Sequence, residues 1–105
     1  MKKFKMRKGY FYISGYGDTK EKVYGYISKF FGLHRDKYGK YKITHIKTGY
    51  TIYRVGFKYH VARAIINAME NKHGLPCQWD CTHDRLLSNR QFVYDIILQY
   101  NHSMY

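Results

Sequence analysis

The sequence predicts an α+β protein: an antiparallel sheet with two helices on one face and a further helix near the C-terminus. Three observations carry that expectation. Short runs rich in Tyr, Phe, Ile and Val are bounded by glycines, which is the pattern of strands. Apolar residues at helical spacing stand between and after those runs. The chain has 105 residues, 45% of them hydrophobic, which suits one domain with one modest core.

Residues 1–8 carry Lys2, Lys3, Lys5, Arg7 and Lys8 and read as a basic arm, leaving 9–105 as the single domain. Tyr10-Phe11-Tyr12-Ile13-Ser14, between Gly9 and Gly15, is the expected first strand. Gly15-Tyr16-Gly17 makes a turn. Asp18 with Glu21 then forms a capping box, and Val23, Ile27, Phe30 and Phe31 follow at helical spacing, so a first helix is expected up to Gly32. The stretch from His34 to Lys47 is rich in cations, with Tyr38-Gly39 as a loop centre. Tyr41 to Ile46 and Tyr50 to Phe57 are the second and third strands, joined at Thr48-Gly49 as an antiparallel hairpin.

A second helix is expected from about His60 to Asn71, burying Ala62, Ile65, Ile66 and Met69. Lys72 and His73 sit at the negative end of its dipole, and Gly74 closes it. Pro76 follows, and Cys77 to Thr82 reads as a short edge strand. Ser88 with Gln91 forms a second capping box, opening a helix over about 88–101 with Phe92, Ile96, Ile97 and Tyr100 as its apolar stripe. With the edge strand counted, the order before the last helix is βαββαβ, the split-βαβ or ferredoxin-like arrangement.

At this level, residues 10–83 resemble an RNA-recognition motif. Phe11-Tyr12-Ile13-Ser14-Gly15 is similar to that family's first-strand motif, with Tyr12 at the aromatic, base-facing position. Thr48-Gly49-Tyr50-Thr51-Ile52-Tyr53-Arg54-Val55 is partly similar to its third-strand motif: Gly49 and Tyr50 match, while Thr48 replaces a cation and Ile52 a stacking aromatic. Ala62, Ile65, Ile66 and Met69 follow its second-helix pattern. The resemblance implies RNA binding on an open sheet face. Strand alternation would put Phe11, Ile13, Tyr53, Val55 and Phe57 inward and Tyr10, Tyr12, Tyr50, Ile52 and Arg54 on the opposite face. That face is either a stacking platform or ordinary core under the last helix.

Function is read first from charge. Lys and Arg number 19 against 7 Asp and Glu, a formal +12, which calls for an anionic partner. Thirteen tyrosines accompany the cations, and basic residues interleaved with aromatics suit single-stranded nucleic acid. Lys2, Lys3, Lys5, Arg7, Arg35, Lys37, Lys40 and Lys42 are the candidate phosphate contacts; Tyr12, Tyr50 and Arg54 are the candidate base contacts. RNA ranks before DNA as partner. A second reading is an inhibitor or accessory protein of the phage or mobile-element type. It would bind a nucleic-acid-processing complex, such as a protein that itself holds nucleic acid.

Chemistry has few candidates. His73, Cys77, Cys81 and His83 are zinc-ligand types in one stretch, but their spacing matches no zinc motif. Asp80, His83 and Asp84 give a third reading, a small metal-dependent nuclease. There is no Gly-x-Ser-x-Gly, Walker A or His-Glu-x-x-His motif, and no cofactor is implied. No apolar run approaches the ~18 residues of a membrane helix. MKKFKMRK has no hydrophobic segment after it, so no secretory signal and no membrane partner are expected. Two cysteines fit a reducing cytoplasm.

Overall fold

The computed structural model describes residues 4–14, 19–72 and 76–102, the side chains of Pro76, Cys77, Asn101 and His102 excepted. Five strands run consecutively: β1 (Arg7–Ser14), β2 (Lys20–Ile27), β3 (Phe31–Arg35), β4 (Tyr41–His45) and β5 (Tyr50–Thr51). They form one antiparallel meander in the order β1-β2-β3-β4-β5. Helices follow: α1 (Tyr59–Asn67), extended by a wider π-type turn over Ala68–Lys72, then α2 (Pro76–Trp79), α3 (His83–Ser88) and α4 (Arg90–His102). The α+β class, the antiparallel sheet and the C-terminal helix are as expected. The ferredoxin-like βαββα order is not the order found.

The difference lies in residues 18–31. Their apolar spacing suited a helix, but the same residues also alternate. In β2, Lys22, Tyr24 and Tyr26 face one side while Val23, Gly25 and Ile27 face the other. Tyr, Val and Ile favour strands, and Gly25 would cost a helix interior about 1 kcal/mol. Gly25 also answers a packing need: a Cβ there would lie 1.9 Å from the Leu33 carbonyl oxygen, so only glycine lets β2 cross β3 this closely. Phe31 to Arg35, expected as helix end and loop, is β3. The predicted Asp18 cap lies outside the described residues.

The predicted hairpin after Tyr41 is present, but its second strand is short. After Ile52, whose N–H donates to the Ile43 carbonyl at 3.0 Å, the chain leaves the ladder and returns at Phe57, which exchanges two hydrogen bonds with Tyr41. The inward and outward alternation expected for 50–57 therefore fails: Ile52 is buried and Val55 is exposed. Gly49 turns the hairpin at φ +76°. It also backs directly onto β1, where Ser14 N–H donates to its carbonyl at 2.8 Å. This contact brings the two ends of the sheet together, so the sheet is curled.

One side of the curled sheet buries Phe31, Leu33, Ile43 and Ile52 against Val61, Ile65, Ile66 and Met69 of the first helix and Val93, Ile96 and Ile97 of α4. The other side folds over itself, enclosing Phe11, His34 and Thr44. The expected stripe Ala62, Ile65, Ile66 and Met69 is fully buried.

The expected edge strand Cys77–Thr82 is helical at its start instead. Pro76 occupies a first helical position, which its missing N–H tolerates. The Trp79 ring is fully buried, and its indole N–H donates to the Met69 carbonyl at 2.8 Å. The expected Ser88–Gln91 capping box is not formed. Ser88 ends α3, donating its hydroxyl to the Arg85 carbonyl at 2.7 Å, and Gln91 donates to Asp95 on α4.

The basic segment is part of the fold from Phe4 onward. Phe4 and Met6 pack on the core, the Arg63 guanidinium donates to the Phe4 carbonyl and lies over its ring, and Arg7 and Lys8 begin β1. No helix among the described residues is long and apolar enough to cross a membrane.

Candidate nucleic-acid interface

Cross-strand register fixes what the β1–β2 ribbon presents. Lys8 faces Tyr26, Tyr10 faces Tyr24, Tyr12 faces Lys22 and Ser14 faces Lys20, all on one face of the ribbon. The helices do not cover the outer part of this face: Tyr10, Tyr12 and Tyr24 are 63%, 52% and 55% exposed. Tyr10 and Tyr24 meet with ring centroids 4.9 Å apart. Lys22 Nζ lies 4.7 Å from the Tyr10 ring centroid, and Lys8 Nζ 5.9 Å from that of Tyr26. Among the described residues no carboxylate shares the face. Tyr26 is half-buried and joins Tyr41 and Tyr59 in an aromatic cluster at the start of α1.

Three large exposed aromatics on a two-strand ribbon are otherwise a solubility liability. Here they stand between cations that form no ion pair among the described residues. Among the described residues the one ion pair is elsewhere, between Lys47 and Asp80 at 2.7 Å. That bond holds Asp80 below and Lys47 above their ordinary ranges.

The sequence-predicted residues fall into separate places. Lys2 and Lys3 lie outside the described residues. Lys5 and Arg7 are exposed beside the β2–β3 turn. Tyr12 is on the ribbon face. Arg35, Lys37 and Lys40 surround the β3–β4 turn, where the Asp36 carboxylate accepts the N–H groups of Tyr38 and Lys40 at 2.8 and 3.0 Å. Arg35, Lys37 and Lys42 also border a cavity with His34, but Glu21 and Asp36 line it too, so its charge is mixed. Lys42, Tyr50 and Arg54 are brought together, in a cleft between β5 and α4. Tyr12 is not part of that cleft. The expected single platform of Tyr12, Tyr50 and Arg54 is therefore two surfaces, because the chain leaves the ladder after Ile52.

Sequence reasoning missed Lys20, Lys22 and Tyr24, which a helix would have scattered round its circumference. The available signal was the alternation of Lys22, Tyr24 and Tyr26 with Val23, Gly25 and Ile27.

The other candidates are structural or isolated. His73 and the Cys77 side chain lie outside the described residues. Cys81 is buried, and burial pushes its thiol up, which keeps it protonated. The exposed His83 packs its ring against Tyr50, with centroids 4.9 Å apart. Asp80 is engaged with Lys47. Among the described residues no group of three or more His, Cys, Asp or Glu is placed to hold a metal ion. No protein-family model, curated protein or solved structure matches this chain.

Proposed function

We propose that this chain is a non-catalytic binding module for single-stranded nucleic acid, RNA before DNA, and that the β1–β2 ribbon is its principal contact surface. The observation that carries the proposal is the cross-strand ladder itself. It sets exposed Tyr10, Tyr12 and Tyr24 among Lys8, Lys20 and Lys22, with no acidic neighbour on the face among the described residues. Unpaired bases offer flat faces to such rings, and their phosphates need cations a few ångströms away. A duplex hides its base faces, so this chemistry favours a single strand. Tyrosine hydroxyls can also meet a ribose 2′-OH, which ranks RNA first.

The direct test is fluorescence anisotropy with labelled single-stranded RNA and DNA of about 12 nucleotides, near the site size of small single-strand binders. Binding at about 50 mM salt that weakens steeply by about 200 mM is expected. Absence of binding to either strand at the lower salt would overturn the proposal.

A further inference from the structure

The cleft between β5 and α4 shares no residue with the ribbon face, and its composition is specific. Tyr50, Tyr53 and Tyr94 supply aromatic walls, Ile97 and Leu98 extend them, and Lys42 and Arg54 are its charged residues. Among the described residues no carboxylate lines it. Its volume, about 610 Å³, falls in the range of small-molecule sites.

The walls are held in place before any ligand arrives. Tyr53 stacks on the buried Phe57 with centroids 5.6 Å apart and meets Tyr94 edge-on at 5.8 Å. Tyr50 is held by His83. The departure of the chain from the β4–β5 ladder between Ile52 and Phe57 projects Tyr53 and Arg54 here. An apolar ligand would leave two cations desolvated and unpaired. A simple inorganic anion would leave the aromatic walls unused. A flat ring carrying a phosphate satisfies both.

We infer that this cleft is a pocket for a single nucleotide, with the base on the tyrosine walls and the phosphate on Lys42 and Arg54. It is a second site that does not depend on the ribbon face. The nucleotide is free in solution or is one unit of a bound strand; the shared chemistry is the nucleoside phosphate.

The test is an NMR titration of the whole chain with uridine monophosphate, adenosine monophosphate and uridine. Saturable shifts at residues 50–54 and 94–98 are expected with both monophosphates. Uridine should bind about 10-fold more weakly, as expected on loss of charge-assisted hydrogen bonds. Arg54→Gln removes the preference for the phosphate, and Leu98→Trp, at the exposed lip, fills the cleft and abolishes binding. Tyr12→Ala and Lys22→Gln leave mononucleotide binding unchanged while weakening oligonucleotide binding. Free nucleotide and strand are told apart by whether Leu98→Trp also weakens an oligonucleotide.

Three results overturn the inference: no saturable shift at about 10 mM monophosphate, a limit that still detects millimolar affinity; equal affinity for uridine and its monophosphate; or shifts confined to the ribbon. The last would leave the ribbon proposal standing. Monophosphate binding in the cleft without oligonucleotide binding would do the reverse.

Discussion

The Nε2–H of His45 donates to the Trp79 carbonyl oxygen at 2.6 Å, which ties β4 to the end of α2. A carbonyl only accepts, so the proton sits on Nε2, and Nδ1, 2.9 Å from Thr48 Oγ1, accepts from that hydroxyl. The ring is fully buried. Burial first, then Lys47, holds His45 below the ordinary histidine value, against the Trp79 bond and Asp80, which raise it. His34 is lowered likewise by burial and then Lys42, with Glu21 and Asp36 opposing. The unfolded chain therefore takes up protons first as pH falls below about 6.5. Stability is level above that value and declines below it. Melting temperatures from pH 7.5 to 5, followed by Trp79 fluorescence, should fall; a flat profile contradicts the buried neutral rings.

The buried Glu70 carboxylate closes the β2–β3 turn. It accepts the Phe30 N–H at 2.8 Å and the Ser28 hydroxyl. Glu70→Ala leaves that N–H without its partner and should cost about 2–3 kcal/mol in denaturant unfolding. Glu70→Gln keeps an acceptor and should cost less. Equal losses would show that packing, not the turn, sets the effect.

Thr44 is fully buried, and among the described residues its hydroxyl has no hydrogen-bond partner. Valine keeps the shape and the strand preference. Thr44→Val should raise stability by about 1 kcal/mol, read from the urea midpoint. A clear loss would mean that the hydroxyl is satisfied in solution.

Gly25→Ala drives a Cβ into the Leu33 carbonyl oxygen. Backbone cannot yield as a side-chain end does, so a cost of about 3 kcal/mol or more is expected. A midpoint within about 0.5 kcal/mol of the parent would show that β2 and β3 separate freely.

Tyr12 and Lys22 lie opposite each other but should fail differently. Lys22→Gln removes one phosphate contact and flattens the slope of log affinity against log salt by about 0.7 for a single strand. Tyr12→Ala removes a stacking ring, costs about 1–3 kcal/mol of binding and leaves the slope alone. Identical salt slopes for both variants would place the strand elsewhere.

Elements set by local pattern were legible in the sequence. The stripe Ala62, Ile65, Ile66 and Met69, the apolar stripe of α4 and the turn at Thr48-Gly49 all depend on neighbours within a few residues. Residues 18–31 were not, because Val23, Ile27, Phe30 and Phe31 satisfy helical spacing while the ladder that decides the matter is supplied by β1 and β3. Cys77 to Thr82 misled for a related reason: burial of Trp79 under Met69 is a long-range fact. The cleft was partly legible, since Lys42, Tyr50 and Arg54 were singled out by type. Tyr94 and Leu98 reach it only through the packing of α4.

The hydrogen bond between Ser14 and Gly49 bears on self-association. A five-strand meander ordinarily offers two open edges to other copies of itself. Here one edge strand, β5, spans only Tyr50–Thr51, and the other is tied back onto the hairpin at its end and bears Arg7 and Lys8. Strand addition along β1 is thus opposed at both of its ends, by the bond at Ser14 and by the charges of Arg7 and Lys8, while the ribbon face keeps its tyrosines open to water.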